Sequence, residues 1–461
     1  MDRILLTSSL LLLASSFCGC VSVQEKALAA RQELVGGDAA HALAWADDLA
    51  LDSSYSKNLG AVEAGRVRLL TGDFSGAETW FRQAVDSAVD RNERAPKIKV
   101  GDVGNTLLAS TVTDDRTREY YLAPYELNLA LEYAILTQAL NGRREDALVD
   151  ARLAVYVQDN LAETYGADVQ KGVAGSDAKA NQSASSASAT QTAQLVEMMA
   201  ASRNSWENPV LWWLTGVLFE ADGAMDMAWQ SYRKARAVCA NNAVFARDAA
   251  RADAERPTPA RGRAKLVILY EEGFVPLRES LKIPVPLYTG FGIDIPMYQK
   301  ADRVAYRPNE VAISGATNLV RAAPALDVRA LAARDLSEQL PGVILRNITR
   351  AAVQAGAQAA ANAAGNEYAQ LAVFIVNLCI TAAREADTRS WATLPDGQQV
   401  WSEDDMAPGT YQLGVNVNGR TISTPVTLAP NETKILWLAN LGRDFRTGTA
   451  SLSENYIQGG N

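Results

Sequence analysis

Two patterns of apolar positions divide the chain. Up to about residue 255 the sequence reads as helices, for example Tyr125 to Leu140, with apolar positions on helical spacing. After Arg256-Pro257-Thr258-Pro259 the pattern shortens to apolar or alternating runs broken by Pro and Gly, which reads as strands. The order predicts an α+β chain. A helical array over 20–255 comes first, then a mixed α/β region over 256–386. A β-rich, sandwich-like module over 387–461 follows and ends in a flexible tail.

Within the mixed region, Lys265–Tyr270 is an apolar strand, and Glu271-Glu272-Gly273-Phe274-Val275-Pro276 turns out of it. Leu281–Leu287 is extended, because Pro284 and Pro286 bar a helix. Tyr306–Ile313 reads as a strand, Val328–Ala363 as a helix broken near Pro341-Gly342, and Tyr368–Ala386 as a second helix. The last part reads as strands throughout: Ser390–Pro395, Ala407–Leu413, Gly414–Arg420, Thr424–Leu428 and Glu432–Leu438. Asn418-Gly419 predicts a type I′ hairpin.

The helical half repeats. Gly65, Gly72, Phe74, Ala77, Phe81 and Ala84 stand at the spacing of the small and aromatic positions of a tetratricopeptide repeat. Trp212, Gly216, Phe219, Gly223, Ala228, Tyr232 and Ala235 fit the same frame. Gly142, Ala147, Ala151 and Ala154 fit its second half, and Gly37, Ala42 and Ala46 fit it loosely. Small residues let paired helices approach, and the aromatics fill the space beside them. The alternative is a generic helical domain whose turns coincide. The Ser/Ala-rich stretch over 172–194 is low in complexity and predicts a disordered loop. Arrays of this kind bind peptides on the concave side. Tyr120, Tyr121, Tyr125, Glu126, Trp212 and Tyr232 are the candidate groove residues. The tyrosines beside Arg118 and Glu126 either face a ligand or seal the groove.

The first 16 residues combine Arg3 with the apolar run Ile4–Ser16, which suits a signal peptide over 1–19 and is too short to span a bilayer. Phe17-Cys18-Gly19-Cys20 resembles the bacterial lipobox, with Cys20 as acceptor and Phe17 where Leu is usual. The alternative is an ordinary cleaved signal peptide. Acylated Cys20 would anchor the chain to a membrane, and Val21 at the next position implies, by the enterobacterial sorting rule, the outer membrane. Leu371–Ile380 is apolar nearly all round and reads as a helix buried against the sheet, or else as a segment dipping into a membrane. The Ala-rich Ala351–Ala364 permits close packing or a mobile arm. Cys239 and Cys379 read as buried and unpaired, although an oxidising periplasm would permit a disulfide.

Charge and composition narrow the function. With 44 Lys and Arg against 53 Asp and Glu, the net charge of −9 argues against nucleic acid as a partner. The single histidine, His41, excludes His-rich zinc sites and leaves little room for Ser-His-Asp chemistry; it reads as a solvated or packing residue. The sequence carries neither a phosphate-binding Gly-rich loop followed by Lys nor Gly-x-Ser-x-Gly, and no Cys-x-x-Cys. Carboxylate chemistry is the remaining enzyme reading. Glu271, Glu272, Glu279 and Asp387, with Arg278 and Arg389, are its candidates. No cofactor and no metal is expected.

Several stretches resemble an uncharacterised family of bacterial outer-membrane lipoproteins with a tetratricopeptide-like first half. They are Tyr125-Glu126 through Leu127–Leu140 to Gly142 and Ala147; Trp213-Leu214-Thr215-Gly216 to Ala228 and Tyr232; and Val267 to Gly273-Phe274-x-Pro276. The fourth is Ala386-Asp387-Thr388-Arg389-Ser390-Trp391-x-Thr393-Leu394-Pro395. They run in the family's order from about residue 120 to 440. Gly273, Phe274, Pro276, Asp387, Arg389, Trp391 and Pro395 carry the most specific part. The Ala-rich stretch and the Ser/Ala loop fit less well. The family's genes often lie beside a lipoprotein activator of penicillin-binding proteins, which implies envelope work and assigns no catalytic residue. The expectation is a non-enzymatic periplasmic scaffold for envelope proteins, such as peptidoglycan-synthesis or export machinery. The alternatives are a carboxylate-dependent enzyme, a hydrolase, on cell-wall or surface polymer and a subunit of a secretion or surface-fibre assembly.

Overall fold

The computed structural model describes residues 23–37, 39–52, 57–90, 97–98, 119–166, 195, 197–284, 292–298, 310–313, 323–339, 386–417, 420–443 and 445–453. Cys20, the 172–194 loop, the break at Pro341-Gly342, Ala351–Ala364, Leu371–Ile380, Cys379, Asn418-Gly419 and the tail beyond 453 lie outside them.

Helices α1 (Val23–Gly36), α2 (Ala40–Leu51), α3 (Lys57–Thr71), α4 (Phe74–Ala88), α5 (Pro124–Leu140) and α6 (Arg144–Glu163) follow one another. They continue into α7 (Pro209–Asp222), α8 (Met225–Val238) and α9 (Ala243–Asp253), and each packs on its neighbours in sequence. Local chemistry sets the starts. Asp73 accepts from the Gly76 N–H at 2.9 Å, Asn208 from Val210 and Leu211, and Asn242 from Val244 and Phe245. Pro124 and Pro209 occupy first turns, where no N–H is needed. Gly37, Gly72, Gly142 and Gly223 turn the chain between helices with φ of 87°, 86°, 73° and 80°, a region that costs other residues. Five residues after each stands a fully buried alanine: Ala42, Ala77, Ala147 and Ala228. Gly65 lies under the ring of Phe81 and Gly216 under Tyr232, each pair sixteen residues apart. These glycines and alanines thus stand at the turns and close contacts of the helix pairs.

A short antiparallel pair, β1 (Val89–Asp90) with β2 (Lys97–Ile98), follows α4, and the other described strands follow Asp253. A five-stranded sheet has the order β12-β11-β3-β8-β7 and comprises β3 (Ala264–Glu272), β7 (Ala323–Asp327), β8 (Gly397–Met406), β11 (Thr433–Asn440) and β12 (Phe445–Ser451). β11 runs parallel to β3, with Trp437 opposite Leu269, and the other pairs are antiparallel. β9 (Gly409–Val417) pairs with β10 (Arg420–Leu428) on one side and β6 (Glu310–Ile313) on the other. β4 (Arg278–Pro284) and β5 (Gly292–Tyr298) form a separate hairpin. A helix over 328–339 follows β7.

Alternation along the strands sends side chains to two cores. Val267 and Leu269, with Ile435, Trp437 and Val400, join the helical core. Leu266, Ile268, Tyr270, Trp401, Leu436 and Leu438 meet Leu413, Val415, Val426 and Leu428 of the smaller sheet. Every residue of β3 is buried, as a strand covered on both faces requires. The layers are therefore helices, large sheet and small sheet.

Two expectations meet a different arrangement. The central strand β3 comes from the 256–386 stretch, while its partners β8 and β11 come from 387–461, so one sheet spans the expected boundary at 387. Ser390–Pro395 is not a strand. Residues 386–396 form an irregular strap that enters β8 from between the helices and the sheet.

Candidate functional site

The strap is held by charged side chains that helices bring to the inner face of the stack. Glu63 on α3 accepts from the Ala392 and Thr393 N–H groups and from the Thr393 hydroxyl. Arg66, one turn on, donates to the Thr393 carbonyl at 3.2 Å. Arg31 of α1 donates to the Ala392 carbonyl and lies 5.3 Å over the Phe274 ring. Glu126 at the start of α5 accepts from the Trp391 N–H at 3.1 Å. Trp391 completes an aromatic trio with Phe81 and Tyr133, at centroid distances of 6.1 and 5.8 Å. The helices thus recognise an extended main chain, matching carboxylates to N–H groups and guanidinium groups to carbonyls. Burial pushes the Glu63 carboxyl up to about 7 against the pull of these hydrogen bonds and Arg31. Burial likewise lowers Arg31 to about 10, against the attraction of Glu63.

Beside the strap, helices and sheet meet through ions. Arg66 donates to Glu271 of β3 at 2.7 Å, both side chains being 1% exposed, and its guanidinium lies 4.7 Å over Tyr133. The Tyr133 hydroxyl donates to the other oxygen of Glu271 at 2.7 Å. Gln398 of β8 donates to Glu271 and, at 2.6 Å, to Glu132 of α5, which also accepts from Asn208. Burial raises Glu132 to about 8; the hydrogen bonds from Asn208 and Gln398 oppose the rise and the Glu271 charge adds to it. Burial opposes the charge of Arg66, yet Glu271 holds its pKa above the ordinary arginine value.

A second junction lies toward the end of the stack. Glu220 of α7 accepts from Arg251 at 2.7 Å, Lys265 of β3 at 2.8 Å, Tyr232 at 2.7 Å and the Thr258 N–H at 2.9 Å. Burial works to raise this carboxyl, but Lys265 and Arg251 overcome it and hold it at about 2.

A third group surrounds Arg278 of β4. Its guanidinium donates to the Tyr298 hydroxyl at 3.0 Å and lies 3.5 Å from Asp335 in the helix over 328–339. Burial raises Asp335 to about 7 despite the opposing charge of Arg278.

The candidate residues of the sequence take distinct places. Tyr120 is half-buried and donates to Glu126 at 2.7 Å, and the Arg389 guanidinium lies 5.6 Å over its ring. Tyr125 is buried, and its hydroxyl points to Glu126 at 3.3 Å. Tyr121 is 41% exposed, and its hydroxyl donates to Glu119 at 3.0 Å. Trp212 and Tyr232 are buried inside the stack, with Lys234 4.3 Å over the Trp212 ring, so neither lines an open groove. Tyr120, Tyr125 and Glu126 seal the strap. Glu271 and Glu272 point to opposite faces of β3, Glu272 accepting from Gln399 at 3.1 Å. Asp387 pairs with Arg389 at 2.7 Å, and Glu279 lies on β4. The carboxylates proposed for catalysis thus sit in separate settings.

The family-like residues converge on the strap. Gly273 takes φ 61° and its N–H donates to Asn440 at 3.0 Å; Phe274 lies under Arg31. Pro276 leads from there toward β4, and Pro395 ends the strap ahead of β8. Sequence reasoning missed Arg31, Glu63, Arg66, Glu132, Tyr133 and Asp335. The legible signal was charge inside helices otherwise apolar on several faces, as in the Leu127–Leu136 run that contains Glu132. His41 is 81% exposed beside Glu33, and Cys239 is half-buried at the end of α8, where burial raises its thiol.

Among the described residues no group of three His, Cys, Asp or Glu side chains is placed to hold a metal ion, and no helix is long and apolar enough to cross a membrane. Compared with protein-family models, with curated proteins and with solved structures, the chain matches none of them.

Proposed function

We propose that the chain is a periplasmic lipoprotein, anchored to the outer membrane through acylated Cys20, that serves as a protein-binding scaffold in a cell-envelope complex. The observation that carries this reading is the ionic junction between stack and sheet. Arg66–Glu271 and Glu220–Lys265 join helices to the central strand, and Glu63 and Glu126 hold the strap between them. In this reading the matched buried charges set how helices and sheet are oriented on each other. They make the helices one rigid platform, the property a scaffold needs. The shared Gly and Ala frame supports a tetratricopeptide-like reading of the hairpins, and the two facing sheets support a sandwich-like one for the β layers.

The expected concave site is filled in this reading by the chain's own sheet and strap. A partner then meets the outer surface, where Tyr121 is exposed near the strap seal. Envelope proteins of peptidoglycan synthesis or export are the proposed partners. Crosslinking and pulldown of the lipidated protein from membranes tests this. A stoichiometric partner is expected, lost on Tyr121→Ala. Recovery of no partner under several crosslinking conditions would count against the scaffold.

A further inference from the structure

The first described helix is fastened where the strap begins. Gln24 donates to the Thr388 hydroxyl, and Ala27 packs with Leu277 and Ala392. Arg31 donates to the Ala392 carbonyl and covers Phe274. Ala30 and Leu34 join the helical core. Helix α1 is therefore part of the rigid body from its first turn, and its N-terminal end is fixed at the corner formed by residues 386–389.

Val23, the first residue of α1, lies three positions after Cys20. Even fully extended, three residues reach at most about 11 Å. An acyl anchor on Cys20 thus has almost no slack before it meets a helix that cannot swing. The exposed side chains nearest that end are Glu25 and Lys26. Helices α8 and α9 lie at the other end of a stack in which each helix packs on its sequence neighbours, at about 8–10 Å per step.

We propose that the corner formed by the start of α1 and residues 386–389 is the membrane-facing surface of the molecule, seated on a phospholipid leaflet, with α8 and α9 held away from it. This rests on the Cys20 anchoring proposed above. It goes beyond that reading by assigning an orientation: the stack stands off the leaflet from the α1 end, and its far hairpins are presented to the periplasm.

Photocrosslinking of the acylated full-length protein in phosphatidylethanolamine/phosphatidylglycerol vesicles tests it. A benzophenone side chain is placed at Lys26 or at Ala237, both exposed. At least tenfold more lipid adduct is expected from position 26. Inserting 20 Gly/Ser residues after Val21 adds a leash of about 25 Å root-mean-square length. It should bring the two positions within about twofold. Acylated protein that labels equally at both positions without the leash overturns the orientation while leaving the anchor standing. An intact mass without acyl chains overturns the anchor, and the orientation with it.

Discussion

Replacing Arg66 by Met tests whether helices and sheet are joined by charge. The side chain is fully buried, and it holds Glu271 at 2.7 Å, the Thr393 carbonyl at 3.2 Å and the Tyr133 ring at 4.7 Å. Met fills a similar volume, so the loss is electrostatic and falls mainly on Glu271, left as a buried charge. Removing one member of such a pair costs about 3–5 kcal/mol. Glu271→Gln in the same background keeps acceptors for Tyr133 and Gln398 and removes the stranded charge. It should restore at least about 2 kcal/mol of the loss. Urea unfolding followed by far-ultraviolet circular dichroism and by tryptophan fluorescence measures both effects. The two signals should give one coincident transition in the unmodified protein, because the junction crosses from α3 to β3. An Arg66→Met loss below about 1 kcal/mol, or a double variant as unstable as the sum of the singles, would refute the junction.

Gly65→Ala and Gly216→Ala should each destabilise by about 1–3 kcal/mol through overpacking. A Cβ at those positions would lie 2.9 Å from Phe81 and 2.7 Å from Tyr232. Combining Gly65→Ala with Phe81→Leu should recover part of the loss, which thermal melting can read. Stability should also depend on pH in two windows. Glu132 is raised from 4.5 to about 8 in the folded protein, so its contribution is fully present below pH 4.5 and is lost as pH rises toward 8. Urea titrations should show that slope flatten in Glu132→Gln. Glu220 is depressed to about 2, so its contribution is present above pH 4.5 and lost as pH falls toward 2. Glu220→Gln should lose stability at pH 7 and show less further loss at pH 3; an unchanged acid slope would refute its role.

The helices were legible because their determinants are local. The Gly-to-Ala step of five residues and the Gly-to-aromatic step of sixteen lie within one hairpin, so a spacing rule sees them. The strand at 264–272 was legible as an apolar run, but its place was not. β3 pairs in parallel with β11, which begins more than 160 residues later, and no local signal sets that register. The strap was misread for a related reason. Trp391, Thr393 and Leu394 have strand-like composition, yet the main-chain hydrogen bonds of Ala392 and Thr393 go to Glu63, Arg31 and Arg66. Those helix residues lie more than 300 positions from the strap, and no local signal links them to it. Tyr121 and Tyr125 lie four positions apart on either side of the start of α5, and burial separates them, at 41% and 2% exposure.

What fills the inner face bears directly on where recognition can occur. A concave helical surface is available to a partner only while its polar groups remain free to pair. Here Glu63, Arg66, Glu126, Glu132 and Glu220 are committed to the sheet and strap, and a peptide seeking the same groups would have to displace segments continuous with β3 and β8. β8 is paired on both sides, so that displacement would tear the central sheet. Breaking each buried ionic junction costs about 3–5 kcal/mol, which a peptide would have to offset by remaking both. On the scaffold reading proposed above, partner choice would therefore belong to the outer helix surfaces and loops, with the buried charges holding those surfaces in one arrangement.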